Sequence, residues 1–358
     1  MQIIINAGGS GSRLWPLSTS AVPKQFVAII DQEPLLLKTY NRVSKDFSAE
    51  NIWITTNSNH LEFVKNILPD FPVDHILTEP ERRDTFAAVV AHAAVVASRT
   101  SVDEPIIFIH SDHNITPQSS VTVHNQALKT IEQSLLQNLF DIIVVGIKPT
   151  FPSPQYGYIE IAQQNSGKEF DQVVPVTNFK EKPDVQTAQS FLDAGNYLWN
   201  FGSFSFTFKK LLTILEQVLP ESVHALNAIF DQKKIDLEHF RTLPKTSFDY
   251  AVLEKTKQLG MVGMKLDVWD DIGSFDTVYQ YLPEIPQLSE LDVNAEKSKK
   301  PLQIQVNGQG NKVKLSNPQR KVAFVGTQNL LVVETEEGLL IIDPNQAKEV
   351  KQISQYFE

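Results

Sequence analysis

Three glycines, Gly8, Gly9 and Gly11, follow the strand-like stretch QIIIN, with Arg13 and then Lys24 close behind. A bare backbone after a first strand lets N–H groups approach an anion without Cβ obstruction, and two cations beside it suit phosphate oxygens. The same residues also fit a tight turn with a solvated cation pair. The loop is not a nucleotide-triphosphatase loop, because no Gly-Lys-Ser/Thr follows at the needed spacing. GSGSRL also lacks the third glycine of the dinucleotide fingerprint. Asp112 follows IIFIH and Asp271 ends KLDVWDD, so both stand where strands of an open α/β sheet present carboxylates to ligands. Together they would form a hard-oxygen site for Mg²⁺, and singly each also suits a helix N-cap. Lys182 in EKPD precedes a proline, and that rigid turn can aim its ammonium into a pocket. His110, Asp112 and His113 do not read as a transition-metal box, since on a strand His113 faces away from the other two. His92 lies in an apolar helical stretch and reads as a buried, hydrogen-bonded histidine.

Positioning these residues falls to short apolar runs, QIIINA, NIWITT, VDHILT, PIIFIHSD and DIIVVGI, which alternate with helical patterns such as TFAAVVAHAAVVASR. Such alternation implies βαβ crossovers and an α/β, doubly wound, mostly parallel sheet. Period-two runs from Tyr156 to Phe208 are expected to extend or flank that sheet and to form a lid over one end. A proline-bearing, charged stretch, 284–300, reads as a linker between residues 1–283 and a small all-β unit, 301–358. That tail could be a β-solenoid and is expected to pack or dimerise. The formal charge of −10 argues against general nucleic-acid affinity. The absence of cysteine excludes a disulfide framework and thiolate chemistry. No stretch approaches the roughly 20 apolar residues that span a bilayer, so no membrane is expected and the location reads as cytoplasmic.

AGGSGSRLWPLSTSAVPKQF resembles the signature of sugar-1-phosphate nucleotidyltransferases, and RLWPLS with PKQF is similar to mannose-1-phosphate guanylyltransferases. EPERRDTFAAV, HSDH, YGYIE, FKEKPD, YLWNFGSFSF, FDYAVLEKT and WDDIGSF follow in that family's order. KVAFVGTQNLLVVETEEGLLII carries the resemblance into the tail. It implies a Rossmann-like nucleotide-diphospho-sugar transferase fold with a β-helix-like C-terminal domain. The implied reaction is Mg²⁺-assisted, in-line attack of mannose 1-phosphate on the α-phosphorus of GTP, giving GDP-mannose and pyrophosphate.

By the same resemblance Ala7, Gly8, Gly9, Ser10, Gly11, Thr85 and Ser111 meet the nucleotide. Arg13 stabilises the leaving pyrophosphate, Lys24 supports the α- and β-phosphates, and Asp112 and Asp271 hold the metal, with Asp270 behind them. Lys182 takes the sugar phosphate, while Gly157, Glu160, Glu181 and Asn200 meet the sugar; Trp199 and Tyr158 either wall it or simply pack in the aromatic core. Departures from the family pattern are His110 and Ser111 before the metal aspartate, Asp84 for asparagine, and Phe201 for serine. Asp84 could accept from guanine N1–H and N2–H₂ or cap the helix beginning at Thr85, the cap being preferred, and Phe201 could narrow the sugar pocket or change the preferred hexose. Another sugar phosphate or base, or a non-catalytic nucleotide-sugar-binding subunit, are the rival readings. A homodimer is expected, and an appended isomerase domain is not.

Overall fold

In the computed structural model the described residues are 1–9, 11–291 and 300–357, and the chain folds as two compact units. The first comprises Met1–Gly8, Thr39–Ser111 and Ile115–Trp269, and the second Gly9–Lys38, Asp112–Asn114 and Asp270–Glu358. Residues 292–299, about half of the stretch read as a linker, lie outside the described residues. The strands are β1 (Gln2–Asn6), β2 (Ile52–Asn57), β3 (Ile76–Glu79), β4 (Pro105–His110), β5 (Asn114–Thr116), β6 (Ile142–Ile147), β7 (Tyr158–Ile161), β8 (Val174–Lys180), β9 (Tyr197–Thr207), β10 (Leu259–Met264) and β11 (Val268–Asp270). In the tail they are β12 (Gln303–Val306), β13 (Lys312–Leu315), β14 (Val322–Val325), β15 (Leu331–Thr335) and β16 (Gly338–Ile342).

Within the first unit nine strands form one sheet in the order β3-β2-β1-β4-β9-β6-β10-β8-β7. Strands β3, β2, β1 and β4 run parallel, as do β6 and β10. Their apolar runs are buried on both faces, which is the mark of parallel strands covered by helices. The expected extension is met by β8 and β7, which add antiparallel beyond β10. The expectation fails for β9, which does not flank the sheet but is inserted antiparallel between β4 and β6. The reason lies in FGSFSFTF. Phe204 and Phe206 pack on Phe108 and Phe248 from one face, while Ser203 and Ser205 are buried on the other. Period two here alternates large with small side chains rather than core with solvent.

The helices are α1 (Leu35–Val43), α2 (Leu61–Ile67), α3 (Asp84–Arg99), α4 (Gln118–Leu136), α5 (Val185–Ala194), α6 (Phe208–Val218), α7 (Glu221–Gln232), α8 (Leu237–Thr242), α9 (Phe248–Ala251), α10 (Phe275–Tyr281) and α11 (Val350–Phe357). Every residue of α3 from Phe86 to Ala97 is buried, so this helix is packed all round, and His92 is buried with it. Burial depresses the His92 pKa to about 3 and keeps the ring neutral. Among the described residues no helix is long and apolar enough to cross a membrane.

In the second unit the apolar face of the glycine-loop segment, with Leu14, Trp15 and Leu17, shares one core with Phe275 of α10, Leu331 of β15 and Val350 of α11. The tail pairs β12 with β14 and β13 with β15 in parallel, at one constant offset along the chain, and β15 with β16 antiparallel. The all-β expectation for 301–358 is corrected at its end, where a 3-10 turn (Pro344–Glu349) leads into α11. Pro344, Ala347, Val350 and Ser354 are the buried positions there, spaced three to four apart as a helix requires.

Truncating Phe206, wholly buried in the central strand, to alanine lowers unfolding free energy by about 3–5 kcal/mol in denaturant titration. At the end of β3, burial pushes the Glu79 carboxyl from 4.5 up to about 7, with Arg82 opposing. The folded chain therefore holds a proton that the unfolded chain releases, and stability falls as pH rises through that window. Glu79→Gln removes this decline when melting is compared at about pH 5 and about pH 8.

Candidate active-site residues

The glycine loop is built on close approach. Gly11 has φ +66, and an added Cβ would stand 2.7 Å from the Lys24 backbone nitrogen. The Ser18 hydroxyl donates to the Gly11 carbonyl at 2.6 Å, closing the loop from within. Only a residue without a side chain fits there, so Gly11 brings the start of the loop against Lys24. Gly9, at φ +98, has open space where a Cβ would sit. Ser10 lies outside the described residues.

Lys24 gathers three distant stretches of the second unit. Its ammonium pairs with Asp112 Oδ2 at 2.8 Å and donates to the carbonyls of Asp271 at 3.0 Å and Ile272 at 3.1 Å. An ammonium carries three donors, and these partners account for all of them. Arg13 is exposed, and its charge reaches the Asp271 carboxyl. Burial raises the Asp271 pKa; Lys24 lowers it, Asp112 raises it, and Arg13 lowers it. Two carboxylates within each other's field, one of them withdrawn from water, fit a hard divalent cation that needs only one or two protein oxygens. Gly273 leaves room for it, since a Cβ at that position would come within 3.2 Å of Asp271 Oδ2. Asp270 is engaged elsewhere. The Tyr281 hydroxyl donates to it and accepts from the Asn114 amide at 3.1 Å. Burial raises the Asp270 pKa and the Tyr281 hydrogen bond opposes that rise.

The remaining candidates lie in the first unit. Ala7 and Ser111 are buried, and their backbone N–H groups bond to Thr55 and Asn6 carbonyls. The Gly8 N–H donates to the Asn6 side chain at 3.1 Å. Thr85 spends its hydroxyl oxygen on the Phe248 N–H at 2.9 Å, fastening α3 to α9. The Asp84 carboxylate accepts the N–H of its own neighbour Thr85 at 2.7 Å from a backbone at φ +66, and α3 starts without a side-chain cap hydrogen bond, so the expected cap is not formed.

Gly157, Glu181 and Asn200 come together. The Asn200 N–H donates to the Gly157 carbonyl at 2.7 Å, and a Cβ on Gly157 would lie 2.5 Å from Glu181 Oε2. Lys182, largely exposed at φ +42, pairs with Glu181 at 3.1 Å. Glu160, on β7, accepts from the hydroxyl of its cross-strand neighbour Tyr197, whose pKa rises through burial and that bond. Asp249 joins this group although it was not singled out in the sequence. It accepts from the Asn200 amide at 3.5 Å, and burial, then Glu181, raises its pKa. The motif FDYAVLEKT was the available signal, but no spacing within it marks that aspartate.

Two further expectations are corrected. Tyr158 does not wall a sugar pocket, because it is wholly buried with its hydroxyl on the Ser153 carbonyl. Phe201 does not narrow one either. Strand alternation turns it away from Asn200 and into the core against His124 and Trp269. His110 bonds the Gly202 carbonyl at 3.0 Å, beside the Asn200 turn. Among the described residues no three His, Cys, Asp or Glu side chains gather as a metal cluster.

The nucleotidyl transferase family model matches residues 2–287. A mannose-1-phosphate guanylyltransferase of Klebsiella pneumoniae is 31% identical over 366 residues, covering 99% of this chain and 73% of its own. The xanthan biosynthesis protein XanB of Xanthomonas campestris is 32% identical over 374 residues, covering 98% and 72%. A solved structure from Thermus thermophilus, named a mannose-1-phosphate geranyltransferase, aligns over 99% of this chain and 98% of its own at 24% identity and TM-score 0.81. That likeness establishes a nucleotidyltransferase-like α/β fold. The chain belongs to the nucleotidyl transferase family and, within it, to the mannose-1-phosphate guanylyltransferases.

Proposed function

We propose that this chain transfers GMP from GTP to α-D-mannose 1-phosphate, releasing pyrophosphate and forming GDP-mannose. The observation that carries the reading is the Lys24 ammonium, held against Asp112 and the Asp271 backbone beneath the glycine loop. Both substrates are anions, and in-line phosphoryl transfer asks the protein mainly for positioning and charge neutralisation. In the loop cluster Lys24 and Arg13 balance Asp112 and Asp271, so a triphosphate arriving there needs further positive charge. Asp112 and Asp271 would hold that charge as Mg²⁺, which supplies Lewis-acid neutralisation of phosphate oxygens when bound.

The chain's own residues carry the rest. The loop backbone at Gly9 and Gly11, bare of side chains, lets the phosphates come close, with Ala7, Gly8, Ser10, Thr85 and Ser111 as the further nucleotide contacts. Arg13, exposed and planar, takes the departing pyrophosphate in a bidentate grip. Lys182 meets the sugar phosphate from its turn, and Glu160, Glu181 and Asn200 accept or donate to sugar hydroxyls beside Gly157. Asp270, held by Tyr281, stands behind the metal aspartates and acts on Asp271 through its charge. Residues 1–283 form the catalytic domain of Rossmann-like, nucleotide-diphospho-sugar transferase type. Residues 301–358 form a β-helix-like packing and dimerisation domain, supported by the constant offset of its parallel pairs. The protein acts as a cytoplasmic homodimer with neither nucleic acid nor membrane as partner.

Pyrophosphate release with Mg²⁺, measured for GTP, ATP, UTP and dTTP against mannose-, glucose- and fucose-1-phosphate, is greatest for GTP with mannose 1-phosphate. Asp271→Asn lowers that rate about 10²-fold or more while circular dichroism stays unchanged. A different preferred pair would overturn the specificity, and silence across the matrix with nucleotide sugar still bound would overturn the enzyme.

A further inference from the structure

We propose that the C-terminal segment 335–357 is a clamp on the glycine loop, and that Trp15 is the positioning residue through which it acts on Arg13 and Lys24. This rests on the reading of those two cations as phosphate ligands. A loop carrying Gly9 and Gly11 at positive φ has little stiffness of its own, so its pose has to come from packing around it. Trp15, two residues after the exposed Arg13, is only 7% exposed. Its indole is held from two sides by the tail. Gly338, at the start of β16, passes so close that an added Cβ would stand 2.9 Å from the six-membered ring of the indole. The Phe357 ring of α11 stacks on it with centroids 5.1 Å apart and planes 15° from parallel. One residue on, the Pro16 carbonyl accepts the Thr335 hydroxyl at 3.0 Å.

The grip reaches both cations by direct connection. Leu14 and Arg13 lie in the 3-10 turn (Ser12–Leu14) that leads straight into Trp15. Ser18, just past the clamp, bonds back to the Gly11 carbonyl, and Gly11 packs on the Lys24 backbone. Moving the indole therefore displaces Arg13 on one side and Gly11 with Lys24 on the other. Phe357 itself is 64% exposed, so losing its ring removes the stack without opening the core. That separates positioning from stability.

The test uses the full chain as Phe357→Ala, Phe357→Tyr and Gly338→Ala, with steady-state kinetics and backbone hydrogen exchange over residues 11–24 read on the same samples. In Phe357→Ala and Gly338→Ala we expect faster loop exchange and a kcat reduced about tenfold, the scale on which small misplacements slow positioned reactions. KM for mannose 1-phosphate stays near wild type in both, and melting temperature stays near wild type in Phe357→Ala but falls in Gly338→Ala, whose Cβ is forced against the buried indole; Phe357→Tyr restores both exchange and kcat. Loop exchange unchanged in both variants overturns the clamp, and so does faster exchange with kcat unaltered. Should the wild-type chain release no pyrophosphate, the guanylyltransferase reading falls. The clamp is then judged by loop exchange and by GTP affinity in the same variants, and unchanged values in both overturn it.

Discussion

One ammonium group ties together the parts of the second unit that matter for chemistry. Lys24 comes from the glycine-loop segment, Asp112 from just after β4, and the Asp271 and Ile272 carbonyls from just after β11, yet all meet at hydrogen-bond distance. Removing that charge would leave a carboxylate and two carbonyls without their donor, partly shielded from water, which costs more than the bond itself contributes. The apolar core behind the loop, from Leu14 and Trp15 to Phe275 and Val350, makes the meeting possible. Burial supplies the free energy, and the polar contacts fix the register.

Alternation governs the first unit's candidates in the same way. On β9, Asn200 and Phe201 turn to opposite faces, so the amide joins Gly157, Glu181 and Asp249 while the ring enters the core. Behind burial, the Glu181 charge adds to the proton affinity of Asp249. The Asn200 side chain donates to that carboxylate and accepts the Gly202 N–H, so its orientation is fixed at both ends. Carboxylates and an amide in that arrangement can accept from and donate to hydroxyl groups.

The fold was legible wherever local pattern and tertiary role agree. Runs such as QIIINA and DIIVVGI become β1 and β6 because fully buried parallel strands read as unbroken apolar stretches. The insertion of β9 was not legible, since large–small and core–solvent alternation share one period. The C-terminal helix escaped because little more than Ala347, Val350 and Ser354 marks its buried side, too short a repeat to stand out. In the site, Gly11 and Lys24 stood out because a close backbone approach and a cation leave marks in the sequence. Asp249 left none, for its meaning depends on Asn200 and Glu181, both distant along the chain. Trp15 was visible as a residue type but not as a contact, since its partners Gly338 and Phe357 lie at the far end of the chain.

Calorimetric titration of GTP with Mg²⁺ into the Lys24→Met variant tests the central role of that ammonium most directly. Methionine keeps much of the side-chain bulk and deletes the charge. The account predicts an unchanged circular dichroism spectrum and a GTP affinity at least about tenfold weaker, the loss expected when a charge-assisted contact is removed. Wild-type GTP affinity in a folded Lys24→Met protein would contradict it.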